Sequence, residues 1–448
     1  MAYSYITLAQ LRAELMNRLQ DSAGVFTTAA EANLYLQESL RVLNAKTFVW
    51  ATDYQFDFSA GDTWQSLNVA GSPRQRTVTD LDLYAQMCAM LLEPMSGGTW
   101  MGTNQYNLAM LQGALQYRRD ELLLACAGNV VNLLQPSPVN SMRSTLPDST
   151  LSLHRVRWIP TTAGLPYALG REDVKTANSF NPNRGIEPGE PDSWLITADT
   201  PLTFDCSCPP NQPGTWDLLA SFAGNALAPP TATVLGLPND WCWVALYGAL
   251  ADVLANEPEG RDNQRAAYCL QVYEHGKKAM QELPWLLQAS VASIAVDTPG
   301  YEEIDTQQQN WEQTQNATDP TIVVGGIDLV ALAPSVTSDV VSSVLTVIGN
   351  APIPVADTDE IQLSRDGVDA ILARAQHVAM FKCGGSDFTA TMPLLEQFEA
   401  YCRTKNAQYA ALGIFRPDVL TEGDRNDLID RRFEHPKKEA EPLKIKAE

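Results

Sequence analysis

The sequence lacks the features that mark membrane, secreted and nucleotide-binding proteins. No stretch approaches the roughly 18 consecutive apolar residues that a membrane helix needs. The opening MAYSYITLAQLRAEL has neither the basic residues nor the apolar run of a signal peptide. No GxxxxGK loop is present to hold a phosphate, and no GxGxxG turn follows a predicted strand. We therefore expect a protein that is made and assembled inside a cell and does not enter a membrane.

Histidine, a common metal ligand and acid–base catalyst, is scarce. The four histidines lie far apart: His154, His275, His377 and His435. None belongs to the zincin pattern of two histidines around a glutamate on one helical face, and no GxSxG turn occurs. Cys206 and Cys208 have the wrong spacing for a zinc knuckle, and no second pair completes a site. We expect no metal, no cofactor and no catalytic residue, and interpret the chain as a structural protein, not an enzyme.

Carboxylates, in contrast, are abundant. The chain has 53 Asp and Glu against 31 Lys and Arg, a formal net charge of −22. Such a surface repels phosphate backbones, so specific binding of DNA is not expected. The same negative charge would suit the wall of a channel through which DNA slides without binding. Two acidic pairs, Asp80 with Asp82 and Asp357 with Asp359, are interpreted as helix caps or solvated faces. A glycosidase stays open, because geometry and not sequence spacing sets its two carboxylates.

Apolar periodicity predicts three helical hairpins separated by two stretches of non-helical sequence. The hairpins run from Leu81 to Cys126, from Trp241 to Met280 and from about Ser364 to Ala411. Within the third, Gly384-Gly385 is interpreted as a helix stop, because glycine adopts the left-handed C-cap conformation. Two helices precede them, and each begins with a capping box: Thr7 with Gln10, and Thr28 with Glu31. Their predicted buried faces are Leu8, Leu11, Leu15 and Leu19 in the first helix, and Ala32, Leu36, Leu40 and Leu43 in the second.

Alternating apolar residues predict strands in three regions. Tyr54, Phe56 and Phe58 alternate with polar residues, and a turn at residues 60–62 predicts a hairpin with a second strand around residues 64–69. The second region, between about residues 136 and 238, is rich in Pro and Gly and has four predicted strands: Leu151 to Ile159, Trp194 to Thr197, Leu202 to Cys206 and Trp216 to Phe222. The third region runs from Thr321 to Ile353.

These patterns predict an α+β fold, a helical-hairpin bundle with an inserted antiparallel β domain and a C-terminal mixed module. Residues 1–135 and 236–290 form the bundle, and residues 136–235 form the inserted β domain. A polar connector follows at residues 291–320, then a module of strands and a helical hairpin at residues 321–415. Residues 416–448 form an extended, charged tail.

Aromatic residues and tail lysines are the candidate interface residues. Trp241, Trp243 and Tyr247 open the second hairpin, and Tyr268 lies in its second helix. Such residues anchor either a core or a subunit interface, and the acidic charge argues against bases as their ligand. The tail contributes Lys437, Lys438, Lys444 and Lys446.

Two segments resemble bacteriophage head-to-tail connector (adaptor) proteins of the virion neck. The opening ITLAQLRAELMNRLQDSAGVFTTAAEANLYLQESLRVLN has their short helix, a turn containing Asp and Gly, and a threonine-capped second helix. The stretch LPNDWCWVALYGALADVLANEPEGRDNQRAAYCLQVYEHG resembles their returning hairpin, with Arg265, Ala266 and Tyr268 in its second helix. Together the segments cover 79 of the 448 residues. The β insertion and the region after about residue 290 are additional to what a small adaptor contains.

The resemblance implies a virion protein, assembled in the host cytoplasm, that forms a ring, commonly of twelve subunits. Such a ring binds beneath the portal protein, contacts a tail or nozzle protein, and lines the channel for DNA ejection without binding DNA specifically. The tail lysines would then reach into the ring above. Two alternatives remain: a collar, tail-tube, nozzle or baseplate component, and a virion glycosidase that degrades the cell wall.

Overall fold

The computed structural model describes fifteen segments of the chain. They are residues 5–58, 64–93, 95–96, 99–100, 106–126, 128–137, 139–161, 167–173, 185–199, 201–229, 231–256, 262–281, 321–324, 327–333 and 341–411. Helices and small, mainly antiparallel sheets make up these segments, so the fold class is α+β, as predicted. The polar connector and the tail lie outside the described residues.

The helices and strands are numbered in chain order. The helices are α1 (Leu8–Arg18), α2 (Ala29–Thr47), α3 (Asp80–Leu91), α4 (Leu108–Ala125), α5 (Cys242–Asn256), α6 (Asn263–Gln281), α7 (Arg365–Met380), α8 (Gly385–Thr389) and α9 (Met392–Ala411). The strands are β1 (Ile6–Thr7), β2 (Ala51–Phe58), β3 (Gln65–Ser66), β4 (Met95–Ser96), β5 (Thr99–Trp100), β6 (Val130–Ser137), β7 (Arg143–Thr145), β8 (Thr150–Pro160), β9 (Tyr167–Ala168), β10 (Gly170–Arg171), β11 (Ser193–Asp199), β12 (Leu202–Cys206), β13 (Gly214–Phe222), β14 (Thr321–Val324), β15 (Leu329–Ala333), β16 (Val341–Ile348) and β17 (Glu360–Ile361). Among the described helices, none has both the length and the apolar character needed to cross a bilayer.

The chain divides into two compact units. Unit 1 comprises the described parts of Met1–Val49, Pro354–Met380 and Ser386–Glu448, and unit 2 comprises those of Trp50–Ile353 and Phe381–Gly385. This grouping differs from the predicted bundle of residues 1–135 with 236–290, because α1 and α2 belong with α7 and α9, not with α3 and α4. Helical periodicity reveals that a face is buried but not which helix covers it.

Unit 1 is a helical unit in which α7 packs on α1, α2 and α9. Both predicted capping boxes are present, with Thr7 and Thr28 accepting hydrogen bonds from the backbone N–H of Gln10 and Glu31. The predicted faces of α1 and α2 are buried, apart from the half-buried Leu19. Strand β1 pairs with β17, which joins the start of the unit to its later part. A buried ion pair also links α2 to α7, since Arg374 Nη2 lies 2.8 Å from Glu38 Oε1.

The helical part of unit 2 contains the first two predicted hairpins. Helix α5 packs on α6 and α4, and α3 also contacts α5. Arg118 of α4 makes a paired contact with Asp252 of α5 at 2.6 and 2.7 Å, and Tyr273 of α6 donates a 2.6 Å hydrogen bond to Glu121. Burial acts to raise the pKa of Glu121, but hydrogen bonds from Lys277 and Tyr273 outweigh it, and the pKa is lowered. The charged carboxylate therefore links α4 to α6.

The β part of unit 2 consists chiefly of two four-stranded sheets packed face to face. Their strand orders are β10-β11-β12-β7 and β6-β13-β8-β9. Side chains of both sheets, including Trp158, Trp194, Phe204 and Trp216, form one apolar core between them. All four predicted strands of this region are confirmed, as β8, β11, β12 and β13.

The predicted hairpin of residues 54–58 with 64–69 is wrong. Residues 51–58 form a strand, β2, but β2 pairs with β16, and β3 pairs with β15. The predicted turn at residues 60–62 lies outside the described residues. Buried arginines hold this long-range arrangement, since Arg74 donates to the backbone oxygens of Ile327 and Ile348 at 2.9 and 3.2 Å. The strands of residues 321–353 thus belong to unit 2 and not to a module with the third hairpin.

The third hairpin is present as α7 and α9, with the short α8 between them. Its predicted stop at Gly384-Gly385 is confirmed. Helix α7 ends at Met380, a short 3-10 turn follows, and Gly384 and Gly385 have φ values of +64° and +53°. Glycine adopts these left-handed angles without a steric penalty.

Candidate interaction surface

The four aromatic residues predicted at an interface lie together in unit 2. Trp241 stacks on Trp243 with ring centroids 6.1 Å apart, and Trp243 meets the edge of Tyr247 at 6.4 Å. Tyr247 in turn meets Tyr268 at 6.2 Å, and Tyr268 lies 6.2 Å from Phe381. Rings at these distances and angles make favourable aromatic contacts.

Burial decides between the two interpretations of this cluster. Trp241, Trp243 and Tyr247 are buried within the chain, and only Tyr268 is half-buried. They therefore anchor the core, and the interface prediction is wrong for these three residues. The other candidates, Lys437, Lys438, Lys444 and Lys446, lie outside the described residues.

The carboxylates of both acidic pairs bind groups of the protein itself. Asp82 completes a capping box with Thr79, and Asp80 is buried and accepts a 2.8 Å hydrogen bond from the backbone N–H of Thr233. Asp357 makes a two-point ion pair with Arg12, at 2.8 and 3.0 Å, and this contact lowers the pKa of Asp357.

The fourth carboxylate of these pairs, Asp359, accepts hydrogen bonds from the backbone N–H groups of Val355 and Ala356, both at 2.8 Å. These bonds lower the pKa of Asp359. A glycosidase needs one carboxyl group with a raised pKa as its general acid, so the pair of Asp357 and Asp359 does not suit that chemistry.

Two of the histidines are buried in structural positions. His154 Nε2 lies 2.6 Å from Ser221 Oγ between β8 and β13, and burial lowers the pKa of His154 to about 4. His377 Nδ1 lies 2.8 Å from Thr391 Oγ1, and its ring stacks on Phe388. Within the described segments, no group of three or more His, Cys, Asp or Glu side chains is placed to hold a metal ion.

The loop between α1 and α2 has the geometry of an interaction surface. The carboxylate of Asp21 accepts hydrogen bonds from three consecutive backbone N–H groups, those of Val25, Phe26 and Thr27, at 2.8, 2.8 and 2.6 Å. The N–H of Gly24 also donates to the carbonyl oxygen of Asp21 at 2.9 Å, and Gly24 has a φ of +67°. We call residues 20–28 the Asp21 loop.

The Asp21 loop holds two apolar side chains in solvent. Val25 is 87% exposed and Phe26 is 49% exposed, whereas the adjacent Thr27 is buried. One carboxylate binds three consecutive N–H groups, so the backbone that carries these side chains is held in one conformation. A pre-ordered contact loses less conformational entropy on binding than a mobile one.

A second exposed apolar position in unit 1 is built in the same way. Val355 is 82% exposed, and its N–H donates to Asp359, as described above. The segment lies against the N-terminal end of α1, because Leu8 N–H donates to the carbonyl oxygen of Asp359 at 3.0 Å. The Asp21 loop follows the other end of α1, and an eleven-residue helix is about 16 Å long. Unit 1 thus has two separate exposed apolar positions, and at each of them an aspartate carboxylate binds the backbone N–H groups.

The sequence indicates the turn at Asp21 and Gly24 but not the exposure of its tip. An Asp followed by Gly at the third position and then by two large apolar residues, Val25 and Phe26, was a usable signal. Periodicity does not find it, because the two residues belong to neither helical face.

Comparison with known proteins assigns no family to this chain. A search against models of protein families finds no match, and a search of curated proteins finds none either.

Proposed function

We propose that this chain is a structural protein of a tailed bacteriophage virion, which forms a ring that joins the portal vertex of the head to the tail. The observation that carries the proposal is the Asp21 loop, a rigid apolar contact in the segment whose sequence resembles head-to-tail connectors. Val25 is 87% exposed and Phe26 is 49% exposed, so this exposed part of their apolar surface can contact another protein subunit.

The placement of the apolar positions favours a ring over a two-fold dimer. A ring uses heterologous contacts, in which one patch of each subunit meets a different patch of the next. The Asp21 loop and Val355 are two such patches, at opposite ends of α1. Burying Val25, which is 87% exposed, against a neighbour contributes about 1.5–3 kcal/mol, and burying the exposed half of Phe26 contributes about half as much. Repetition of that contact around a closed ring makes the whole assembly stable.

The charge of the chain fits the proposed task. Each copy has a formal net charge of −22, and a channel lined by such copies repels DNA along its whole length. DNA then moves through the lumen without specific binding, while helical hairpins form the wall. The portal protein above and a tail or nozzle protein below are the proposed partners.

A collar, tail-tube, nozzle or baseplate role would use the same ring contacts without the portal. Binding to purified portal protein distinguishes the connector from these alternatives. The cell-wall glycosidase is tested separately, by release of reducing sugar from peptidoglycan. We expect no release above a buffer control.

The ring contact is tested by placing charge on the Asp21 loop. The double variant Val25→Asp/Phe26→Asp should be monomeric in mass photometry at concentrations where the unmodified chain forms a ring, since two carboxylates cannot be buried at an apolar contact. The matched control is Ile186→Asp, a comparable change at a residue of unit 2 that is 76% exposed. Rings formed equally well by both variants would contradict the assignment of the contact to this loop.

A further inference from the structure

Strand β6 lies at the end of a sheet and presents a surface suited to a partner. In the order β6-β13-β8-β9, only β13 pairs with β6 among the strands that the structure describes. The register with β13 is continuous over all eight residues of β6, from Val130 to Ser137. The edge away from β13, which we call the outer edge, therefore presents backbone N–H and C=O groups that another extended chain can match.

Hydrogen bonding to β13 shows which backbone groups belong to the outer edge. Phe222 N–H donates to the carbonyl oxygen of Asn129 at 3.0 Å, just before β6 begins, so Asn129 faces β13. This orientation alternates along an antiparallel strand, so the backbone groups of every second residue point to the outer edge: Val130, Asn132 and Leu134. Pro136 also points this way, and its missing N–H therefore removes no hydrogen bond to β13.

The outer edge is apolar and uncharged. Val131 is 43% exposed and Leu134 is 60% exposed. From residue 122 to residue 142 the sequence contains no Asp, Glu, Lys or Arg, although 19% of the chain is charged. Natural sheet edges are commonly protected from pairing by lysines, prolines or bulges, and residues 130–135 have none of these. Strand β6 thus has the features of an edge that another strand covers.

We propose that β6 pairs with β6 of a second copy of the chain, antiparallel and across a two-fold axis at Asn132. The outward residues then exchange backbone hydrogen bonds, because Asn132 faces its own copy and Val130 faces Leu134 of the second copy. This arrangement allows about six such bonds. Each exposed apolar side chain also gains an apolar neighbour, since Val131 lies opposite Leu133 of the second copy.

Neighbouring registers are less favourable. The outward residues must face one another, so the nearest alternatives place the axis at Leu133 or at Val131. An axis at Leu133 sets Val130 opposite Pro136, which has no N–H to donate. An axis at Val131 sets Leu134 beyond the start of the second β6 strand, where it loses its apolar neighbour. The sequence of the edge therefore favours one register.

Charge favours a second copy as the partner. Two copies with a net charge of −22 repel each other over most of their surface, and they can approach most closely where both are uncharged. The segment that contains β6 is such a place, and it is identical in the two copies, as a two-fold contact requires. A basic partner would instead gain more from the acidic parts of the surface.

This contact goes beyond the proposed function and does not depend on it. It uses unit 2 and is two-fold, whereas the proposed ring contact uses unit 1 and is heterologous. Pairing through one strand buries less than the roughly 1,600 Å² of a standard interface, so we expect a weak dimer that forms at micromolar concentrations. All variants of the test also carry Val25→Asp/Phe26→Asp, so that the proposed ring contact does not contribute.

The first test is a disulfide between two copies at the proposed axis. Asn132→Cys is introduced in a Cys383→Ser background, which removes the exposed native thiol, and the chain is oxidised at micromolar concentration. The Cα atoms of a hydrogen-bonded antiparallel pair lie about 5.5 Å apart, within the range of a disulfide, so we expect a covalent dimer.

A matched control tests the register. Leu134→Cys in the same background should give no covalent dimer, because the proposed register sets the two copies of residue 134 more than about 13 Å apart. A mixture of Leu134→Cys with Val130→Cys should form the dimer, since these two residues face each other. A dimer of Leu134→Cys alone that forms as readily as that of Asn132→Cys would overturn the inference.

Sedimentation velocity without added cysteines gives an independent test. Val131→Asp/Leu134→Asp should raise the dissociation constant of the dimer at least about tenfold, because carboxylates lose hydration at a paired edge. Val234→Asp/Ile186→Asp is the matched control, with the same charges at two exposed apolar positions of unit 2 outside β6, and should leave the constant unchanged. An equal loss in the control would overturn the inference. So would a parent chain that is monomeric at every micromolar concentration, since another partner would then have to cover the edge.

Discussion

Acidification should destabilise unit 1 through one buried histidine, His377. Its side chain is about 1% exposed, and its Nδ1 lies 2.8 Å from Thr391 Oγ1, whose own proton goes to the carbonyl oxygen of Phe388. The hydroxyl can therefore only accept, and Nδ1 donates. Burial first, and then the positive charge of Arg374, lower the pKa of His377 to about 3.

The direction of the effect follows from proton binding. In the unfolded chain a histidine has a pKa of about 6.5, so between about pH 6.5 and pH 3 the unfolded state binds a proton that the folded state does not. The contribution of His377 to the free energy of unfolding has its full value above about pH 6.5 and falls as the pH is lowered towards 3. Between pH 7 and pH 5 the loss in free energy of unfolding is about 2 kcal/mol.

Hydrogen exchange of the most protected amides of α7, corrected for intrinsic rates, measures this loss in unit 1. In the variant His377→Asn the amide nitrogen replaces Nδ1 as donor to Thr391 and does not titrate, so the loss attributed to this site should disappear. His154→Gln, which retains a group at the Nε2 position beside Ser221 in unit 2, is the matched control and should leave α7 unchanged. Equal pH dependence in the unmodified chain and His377→Asn would refute the reasoning.

Three further substitutions test the packing. Gly276→Ala would place its Cβ 2.6 Å from a methyl group of Val244, and this overpacking should lower the free energy of unfolding of unit 2 by about 1–3 kcal/mol. A denaturant titration measures the loss, and a loss near zero would mean that α5 and α6 are further apart. Glu38→Ala leaves the buried Arg374 without its carboxylate and should lower the stability of unit 1 by about 3–5 kcal/mol, whereas an exposed pair would give less than 1 kcal/mol. Asp21→Ala removes three backbone hydrogen bonds and should weaken ring formation in mass photometry while Val25 and Phe26 are intact; unchanged assembly would show that the order of the loop is unimportant.

Local sequence signals predicted local structure well. The capping boxes at Thr7 and Thr28, and the glycine stop at Gly384, each depend on a few neighbouring residues and on the backbone groups that these satisfy. Four strands of the inserted region, β8, β11, β12 and β13, followed from alternation and from the Pro- and Gly-rich turns between them.

Long-range pairing was not predictable in the same way. Strand β2 was expected to pair with the next strand, yet it pairs with β16 almost 300 residues later. Backbone hydrogen bonds are nearly independent of sequence, so alternation identifies a strand without identifying its partner. The buried arginines Arg74 and Arg76, which fix the neighbouring segments through backbone oxygens and Asp328, carry no signal in a polar stretch of sequence.

The candidate site was only partly visible in the sequence. Trp241 and Trp243 were equally compatible with a core and with an interface, because both environments favour large aromatic side chains. Burial in the folded chain decided for the core. The Asp21 loop became a candidate only when the three N–H groups bound to its carboxylate, and the exposure of Val25, were known.

The central claim, that this chain assembles with copies of itself into a portal-binding ring, is tested most directly by mass photometry of the purified chain, alone and mixed with a purified portal protein. The account predicts one discrete mass at a whole multiple of the chain, together with a heavier species when portal is added. Monomers at every concentration, with no added mass on the portal, would contradict it.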